Sequence, residues 1–270
     1  MEWVFCFDEK SSSWFADMIK VAVLSAETHT RLRPVCLYDG QQETAVVAWL
    51  RARGVRVISA TVPFRAELES AETIRANEGT PFTPEHAAGA YLRLCAVDHV
   101  EGARCLYTDC DVMFLGDPLD LLPEPGLLAA APELVAGPEG YRPVSAFNSG
   151  VLLFDCAAFR ARRDSVVAHA RAQHFYSRRT HSFDQTLLNE ALRDDWEPLD
   201  PRLNWRPFQG MNPDARILHF HGPKPHRVAQ ILGGEGDAAE REAFLPLIGP
   251  QREAYQHYIA LHEAFLARAE

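Results

Sequence analysis

Two aspartates lie two positions apart where an apolar run of this chain ends. Asp109 and Asp111 belong to the stretch LYTDCDVMFLGD, which begins at Leu106. An ordinary acidic turn would explain the pair. Paired carboxylates are also oxygen ligands that Mn²⁺ and Mg²⁺ prefer in proteins. The choice between a turn and a metal site depends on the further ligands that the rest of the chain brings to this point.

A histidine and a lysine follow the last apolar run of the sequence. His219 lies in ARILHFHGPKPH, and Lys224 comes five residues later, beyond Gly222. Taken singly, a core histidine and a solvated loop lysine are the simpler explanations. Two carboxylates and an imidazole, however, form a mixed site suited to Mn²⁺ and, less selectively, to Mg²⁺. A lysine beside such a metal could neutralise a phosphate, and the two together would stabilise a departing nucleoside diphosphate.

Short apolar runs alternate with helical patterns in the first part of the chain. The predicted strands are EWVFCFD, which ends at Asp8, RPVCLYDG and VRVISATVP. The helices predicted between them are SSSWFADMIKVAVLSAETH, whose serines are suited to cap it, and ETAVVAWLRARG, which ends at Gly54. This alternation predicts a doubly wound α/β domain with a largely parallel sheet. We expect Asp8, the two aspartates and His219 at strand ends on one side of one sheet, where ligands of such sheets bind.

The middle of the chain continues this alternation. We expect a helix over TPEHAAGAYLRLCAVDHV, strands at RCLYTDCDVMF, GLLAAAPE and FNSGVLLFD, a helix from about Cys156 and another at FDQTLLNEALRD, an extended or looped RLNWRPFQ, and a last strand in ARILHFHG. Because side chains alternate along a strand, Asp109 and Asp111 should share one face and Cys110 should point to the other.

The C-terminal part of the sequence predicts a flexible segment followed by a helix. GGEGD, at residues 233–237, looks flexible, and PQREAYQHYIALHEAFLARAE has the pattern of an amphipathic helix. The residues near its apolar face are Tyr255, Tyr258, Ile259, His262 and Phe265. There are no internal repeats and no linker rich in Pro, Gly or Ser. We therefore predict one domain over residues 1–270, with 233–270 as a C-terminal helical extension.

Composition excludes several classes of partner. The 270 residues are 47% hydrophobic and carry a formal net charge of −10, so we expect no nucleic acid and no broad attraction to anionic lipid. No run approaches the roughly 18 apolar residues of a membrane span. MEWVFCFDEK lacks the basic region of a signal peptide. The six cysteines are scattered without a CxxC pair, which predicts reduced, mostly buried thiols in a cytoplasmic protein.

Six segments of the chain, taken in order, resemble the GT-A fold glycosyltransferases of retaining family 8, which include lipopolysaccharide galactosyltransferases and glycogenin. They are FCFDEK, AYLRL, CLYTDCDVMFLGD, FNSGVLLFD, FDQTLLN and LHFHGPKP, and the resemblance runs from about Trp3 to Arg227. Each segment is weak evidence alone, whereas six in the family's order are specific. The resemblance implies a single Rossmann-like, doubly wound mixed sheet flanked by helices.

The resemblance also implies a nucleotide site with a metal. Asp109, Asp111 and His219 would bind the Mn²⁺ or Mg²⁺ that bridges the diphosphate of a UDP-sugar. Asp8 would lie at the nucleotide, and two further residues would contact the phosphates, namely Gly222 and Lys224. The loop between these two is one residue shorter than the family usually has, which changes the expected position of Lys224. His221 or His226 could take over part of its role.

A second group of residues would line the donor sugar. By the same resemblance these are Arg93, Asn148, Asp184 and Gln185, with Gln185 on the β-face of the anomeric carbon. An amide oxygen is a poor nucleophile, so we favour a front-face mechanism in which the departing diphosphate helps to deprotonate the acceptor. Simpler alternatives stay open for three of them. Asn148 would satisfy backbone groups, Asp184 would cap a helix, and Arg93 would lie on a helix surface.

The predicted function is a metal-dependent retaining hexosyltransferase that uses a nucleotide sugar, with a UDP-sugar favoured. A nucleotide-sugar hydrolase, a sugar nucleotidyltransferase and a non-catalytic nucleotide-sugar binder are the alternatives. The acceptor is open and includes a surface glycan, a lipid-linked sugar, a protein and a small molecule. We expect acceptor recognition to involve Glu67–Pro84 and the C-terminal helical region.

Overall fold

The computed structural model describes residues 1–10, 13–137 and 140–269. In chain order the strands are β1 (Glu2–Asp8), β2 (Arg33–Asp39), β3 (Arg56–Ser59), β4 (Arg104–Thr108), β5 (Val112–Phe114), β6 (Leu128–Gly137), β7 (Gly140–Asp155), β8 (Glu197–Pro198) and β9 (Ile217–His219). The helices are α1 (Ser13–His29), α2 (Ala45–Ala52), α3 (Arg65–Leu68), α4 (Ala71–Ala76), α5 (Pro84–Tyr91), α6 (Cys156–Ala172), α7 (Gln185–Leu192), α8 (Pro225–Leu232), α9 (Ala238–Ile248) and α10 (Arg252–Leu266). Short 3₁₀ turns cover Leu92–Asp98, Pro201–Asn204, Pro207–Gln209 and Gly249–Gln251.

The internal contacts of the chain divide it into two compact units. The first unit comprises Met1–Lys10, Arg33–Thr108 and Pro123–Leu199. The second comprises Ser11–Leu32, Asp109–Leu122 and Asp200–Glu270. The prediction of one domain over residues 1–270 stays a prediction.

The first unit is built on a seven-stranded mixed sheet. Its strand order is β3-β2-β1-β4-β7-β6-β8. The pairs β1–β2, β2–β3, β1–β4 and β6–β8 are parallel, whereas β7 runs antiparallel to both β4 and β6. β1 lies between two parallel partners, β2 and β4, and is buried on both faces, which explains its largely apolar sequence. The predicted α/β class with a mixed sheet is confirmed.

A long hairpin, β6 with β7, is the main departure of the sheet from regular pairing. Its register shifts between Ala130 and Pro132 and again between Pro132 and Leu134. Proline cannot donate a ladder hydrogen bond, so it favours an irregularity at this point of a strand. Glu133 lies at the second shift, between Pro132 and Leu134. Its carboxylate thus belongs to a point of the hairpin where the regular ladder is interrupted.

The second unit contains a two-stranded antiparallel sheet, β5 with β9. Val112 pairs with His219 and Phe114 with Ile217. α1 packs against β5, where Ser25 Oγ accepts a hydrogen bond from Phe114 N at 3.0 Å. His219 therefore ends a strand of a second sheet, and the expectation that it shares one sheet with Asp8 is wrong. Only three residues of the predicted last strand are extended, and they pair with β5.

The C-terminal helix forms as predicted. The five residues expected near its apolar face are all buried in α10. α8 and α9 precede it, and neither was predicted from the sequence. In the segment predicted to be flexible, Gly234 and Gly236 adopt positive φ angles of 78° and 86°, and Asp237 then caps α9. Of the serines expected to cap α1, Ser11 and Ser12 lie outside the described residues.

All six cysteines are buried free thiols, as expected. In the part of the chain that the structure describes, no helix combines the length and the apolar character needed to cross a lipid bilayer.

The capping of α6 gives a test of this fold. Asp155 accepts a hydrogen bond from Ala158 N at 2.8 Å, at the point where β7 becomes α6. Asp155→Ala should lower the free energy of unfolding by about 1 kcal/mol, because an orphan N–H of the helix loses its acceptor. Urea denaturation measures the change. Asp164→Ala, at an exposed position of the same helix, is the matched control and should change the free energy by less than about 0.5 kcal/mol.

Candidate active site

Three potential metal ligands meet in the second unit. One ligand atom each from Asp109, Asp111 and His219 lies within 4.8 Å of the other two. Both aspartates belong to the bend between β4 and β5, so the strand alternation expected for them is wrong. The bend brings them together instead. Because Val112 pairs with His219, the residue before Val112 lies beside the histidine.

The orientation of His219 is fixed by a residue that the sequence did not single out. Its Nδ1 lies 2.9 Å from Asn204 Oδ1, and the amide oxygen accepts the ring hydrogen. Nε2 is then the nitrogen that can ligate a cation, and it lies 3.4 Å from Asp111 Oδ1. His219 is 2% exposed. Two carboxylates and an imidazole whose second nitrogen is hydrogen-bonded offer donor atoms that suit Mn²⁺ or Mg²⁺.

Lys224 reaches this cluster in spite of its shortened loop. Its Nζ donates to Asp111 Oδ2 and also to the backbone oxygen of Phe220, the latter at 3.0 Å. Gly222 has a φ of 94°, a region that favours glycine, and this turns the chain before Lys224. His226, one of the two proposed substitutes, packs its ring against Trp14 instead.

The charges around Asp111 keep it ionised. Burial opposes the charged form, but the positive charge of Lys224, the interaction with His219 and their hydrogen bonds outweigh this effect. The pKa of Asp111 therefore lies well below its usual range. A carboxylate that stays charged at neutral pH is ready to ligate a cation without first losing a proton.

Asp8 lies in the first unit, at the ends of its parallel strands. It is in register with Asp39 of β2, and both line a cavity of about 330 Å³. Lys10 and Glu85 form an ion pair at 2.9 Å there, and Arg65 pairs with Asp39 at 2.7 Å. With Glu9 the lining holds four carboxylates and two cations. This balance favours a hydroxyl-rich group over an anion.

Arg93 and Asp184 meet inside the first unit. Arg93 is 7% exposed, and its Nε lies 3.1 Å from Asp184 Oδ2. Its guanidinium also donates to the backbone oxygens of Ala90 and Ser149, at 2.8 and 2.6 Å, and lies over the ring of Tyr107. The helix-surface alternative for Arg93 is therefore wrong. Asp184 is the residue before α7, but its side chain makes no capping hydrogen bond, so the cap alternative is wrong as well.

The predicted helix around Arg93 is α only as far as Tyr91 and continues as a 3₁₀ turn. In an α-helix the carbonyl of Ala90 would accept from the backbone N–H of Leu94. The Arg93 side chain supplies another donor to that oxygen. This competition gives a physical reason for the change of helix type.

Gln185 and Asn148 form one hydrogen-bonded network. Gln185 Oε1 accepts from Asn148 Nδ2 and from Ser149 N, both at 3.1 Å. Asn148 Oδ1 in turn accepts from Gly150 N at 3.1 Å, so the backbone alternative for Asn148 describes one part of its role. The orientation of the Gln185 amide is therefore determined from both sides.

Glu133 completes this network and was missed from the sequence. Its Oε2 accepts from Gln185 Nε2 at 3.0 Å and from Asn148 Nδ2 at 3.1 Å, and its Oε1 accepts from Leu134 N at 2.8 Å. The available signal was one acid in the middle of an otherwise apolar strand, LAAAPELVAG. Asn189 of α7 links this helix to β7, because its side chain forms hydrogen bonds with both the N–H and the carbonyl of Phe147.

The structure thus gathers the predicted site residues into three groups. The first unit holds the Asp8 cavity and the network of Arg93, Asp184, Asn148 and Gln185. The second unit holds Asp109, Asp111, His219 and Lys224. Phe147, the residue before Asn148, is buried and packs against Trp196.

Comparison with known proteins identifies the family. The family described as glycosyl transferase family 8 matches residues 10–226, and the chain belongs to it. The glycosyltransferase GlyF of Streptococcus pneumoniae serotype 4 is 32% identical over 120 residues. That match covers 43% of this chain and 29% of the length of GlyF, so the chain spans less than a third of this curated relative.

Solved structures share the fold of this chain. A galactosyltransferase LgtC, in complex with donor and acceptor sugar analogs, superimposes with a TM-score of 0.60 at 23% identity, over 93% of this chain and 96% of its own. GlyE of Streptococcus pneumoniae TIGR4 gives 0.59 at 18% identity, over 99% of this chain and 63% of its own. At these identities the likeness concerns the fold. The predicted class, a family 8 glycosyltransferase with a GT-A fold, is confirmed.

The hydrogen bond between His219 and Asn204 should strengthen metal binding. Asn204→Ala should weaken the binding of Mn²⁺ by roughly 10- to 100-fold, because the imidazole loses the partner that fixes its tautomer and orientation. Titration of Mn²⁺ followed by electron paramagnetic resonance measures the affinity directly. Asn212→Ala, in the same unit and outside the cluster, is the control. Equal affinities of the two variants would contradict this role of Asn204.

Proposed function

We propose that the protein transfers a hexosyl unit from a UDP-sugar to an acceptor hydroxyl, with a divalent metal and with retention at the anomeric carbon. The observation that carries this proposal is the cluster of Asp109, Asp111 and His219 beside the ammonium of Lys224. Such a cluster combines ligands for a cation with a second positive charge. Both are needed where a diphosphate leaves.

The cluster of Asp109, Asp111 and His219 would hold the diphosphate. Mn²⁺ or Mg²⁺, when bound by Asp109, Asp111 and His219, supplies Lewis acidity to the departing phosphate oxygens. Lys224 adds positive charge at the same place and can exchange its contact with Asp111 for one with a phosphate. The glycine conformation at Gly222 lets the backbone approach the phosphates closely.

By the family 8 resemblance, Asp8 would lie at the nucleoside and the network around Gln185 at the donor sugar. The acidic balance of the Asp8 cavity suits the hydroxyls of a ribose and disfavours the diphosphate. Arg93 and Asp184, with Asn148 and Gln185, supply charged and amide groups for the hydroxyls of the sugar. This division of roles follows the family 8 resemblance.

The fixed amide of Gln185 supports a front-face mechanism. Its Oε1 accepts from Asn148 and Ser149, and an amide oxygen is a poor nucleophile. Glu133 accepts three hydrogen bonds, which stabilise its charge and lower its nucleophilicity. The bond from the anomeric carbon to the diphosphate oxygen breaks while the bond to the acceptor oxygen forms on the same face. The acceptor proton passes to the diphosphate oxygen.

An open groove in the first unit is suited to the acceptor. It has a volume of about 680 Å³ and is lined by residues between Ala71 and Glu85, all of which except Glu85 belong to the segment Glu67–Pro84 that we expect to recognise the acceptor. Glu85 also lines the Asp8 cavity, so the groove and the cavity adjoin. A glycan, a lipid-linked sugar, a protein side chain or a small molecule would each offer the hydroxyl. The six buried free thiols support action in a reducing compartment such as the cytoplasm.

A screen of donors with Mn²⁺ tests the metal requirement. Release of the nucleoside diphosphate from UDP-, GDP- and TDP-sugars should be greatest for one UDP-sugar and should stop when EDTA removes the metal. Asp111→Asn should abolish the release, whereas Asp117→Asn, which affects an aspartate paired with Arg31 in the same unit, should retain it. Undiminished turnover in EDTA would exclude the proposed metal site. Sugar release without any dependence on an acceptor would favour a hydrolase.

The reaction centre has a separate test. The product should keep the anomeric configuration of the donor, which NMR determines from the anomeric coupling constant. Gln185→Ala should lower kcat at least about tenfold, on the order of 1.4 kcal/mol of transition-state stabilisation. Gln173→Ala changes a glutamine that bonds Glu190 instead and should leave kcat unchanged. Inversion, or normal turnover of the Gln185 variant, would contradict the mechanism.

A further inference from the structure

A small cavity in the second unit belongs to none of the three groups described above. Its volume is about 140 Å³, and it is bounded by α1, α8 and α10. α10 lies beyond residues 10–226, the part of the chain that matches the family. The cavity thus combines residues of α1 and the start of α8, which lie inside the family match, with residues of α10, which lie beyond it.

The deepest polar group of the cavity has an unmet hydrogen-bonding capacity. His262 is 6% exposed, and its Nε2 has no hydrogen-bond partner. Its ring meets Phe220 edge to face, at 5.7 Å between centroids. Burial, followed by the charge of His226, lowers the pKa of His262 to about 4, so the imidazole is neutral at physiological pH. A buried polar atom without a partner destabilises the fold, and a ligand with a hydroxyl would supply the missing hydrogen bond.

The outer wall of the cavity is aromatic. Trp14 is 40% exposed, and its ring lies 5.2 Å from that of His226, at an interplanar angle of 37°. Part of the indole is thus available to an apolar face of a ligand. Aromatic walls with a few convergent polar groups are typical of small-molecule sites.

Size and charge restrict the ligand further. Cavities of about 150 Å³ accommodate a six-membered ring such as benzene, so this one has room for a single ring. Asp17 and Glu263 line it and disfavour an anion. Lys20 lies 3.8 Å from Asp17, and α8 carries Arg227, so the acidic charge is partly offset. A neutral ring with hydroxyl groups fits this balance better than an organic cation.

We infer that this cavity binds one neutral pyranose ring, a non-reacting sugar unit of a saccharide acceptor. Its hydroxyls would bond His262 Nε2 and the carboxylates, and its C–H face would pack on Trp14. α8 begins immediately after Lys224, which places the cavity next to the residue proposed to contact the diphosphate. That the ring belongs to the acceptor rests on the proposed function, whereas binding of the ring itself does not.

Saturation-transfer NMR on the full chain tests this inference. The probes are methyl glucopyranoside, methyl galactopyranoside and methyl N-acetylglucosaminide, with choline as the organic cation. We expect at least one glycoside to receive saturation and choline to receive none. Trp14→Ala and Glu263→Gln should each weaken that binding at least tenfold, and His262→Phe, which fills the cavity, should abolish it. Tyr141→Ala removes an exposed aromatic ring from the first unit and should have no effect.

The outcomes separate the cavity from the proposed transfer reaction. Absence of glycoside binding, binding of choline alone, or glycoside binding that survives Trp14→Ala would each overturn the inference. Trp14 is exposed, so its replacement is compatible with folding, and circular dichroism verifies this for each variant. A thermal shift by UDP with Mn²⁺ is recorded in parallel and should be the same in wild type and Trp14→Ala. If the wild type bound a glycoside but showed no thermal shift with UDP and Mn²⁺, the proposal of a UDP-sugar donor would be rejected and the assignment of the cavity would stand.

Discussion

Pairing of β5 with β9 is the constraint on which the second unit depends. Three residue pairs bring His219 beside the bend that carries Asp109 and Asp111, although a long stretch of sequence separates them. All residues of β5 and β9 are buried. A slip of one residue in their pairing would therefore turn apolar side chains to the wrong face. The geometry of the ligand cluster is therefore set by hydrophobic packing, and the ligands themselves need not hold it together.

Neighbouring positive charges determine how much the buried Asp111 carboxylate lowers the stability of the fold. Asp111 is almost completely buried, and removing a lone carboxylate from water is expensive. Lys224 and His219 offset that cost, and removing one partner of a buried pair typically destabilises a protein by about 3–5 kcal/mol. The same residues thus serve stability and ligand binding. In the first unit Arg93 and Asp184 form a comparable buried pair, so both units contain charged groups that the core alone would not retain.

The sequence predicted the parts of this molecule that depend on local patterns. Strands such as β1 and the apolar face of α10 follow directly from periodicity, and the ordered motifs identified the family. Three features could not be predicted because they depend on distant partners. The bend at Asp109 and Asp111 forms where the chain passes from one sheet to another, the position of Glu133 depends on register shifts in a hairpin, and Asn204 matters only because His219 lies beside it. Residues of this kind have no periodic signal.

The irregularity at Pro132 also separates the two ends of the hairpin mechanically. In a regularly paired hairpin, an insertion or deletion at the tip would shift the register of every residue further along the strand. Each side chain would then point to the opposite face of the sheet. Here two register shifts interrupt the ladder on either side of Pro132, and a proline cannot restore it. Residues beyond Leu134 can consequently vary in number and character without rotating Glu133 away from Gln185. The contact between Glu133 and Gln185 is thus insulated from changes at the tip of the hairpin.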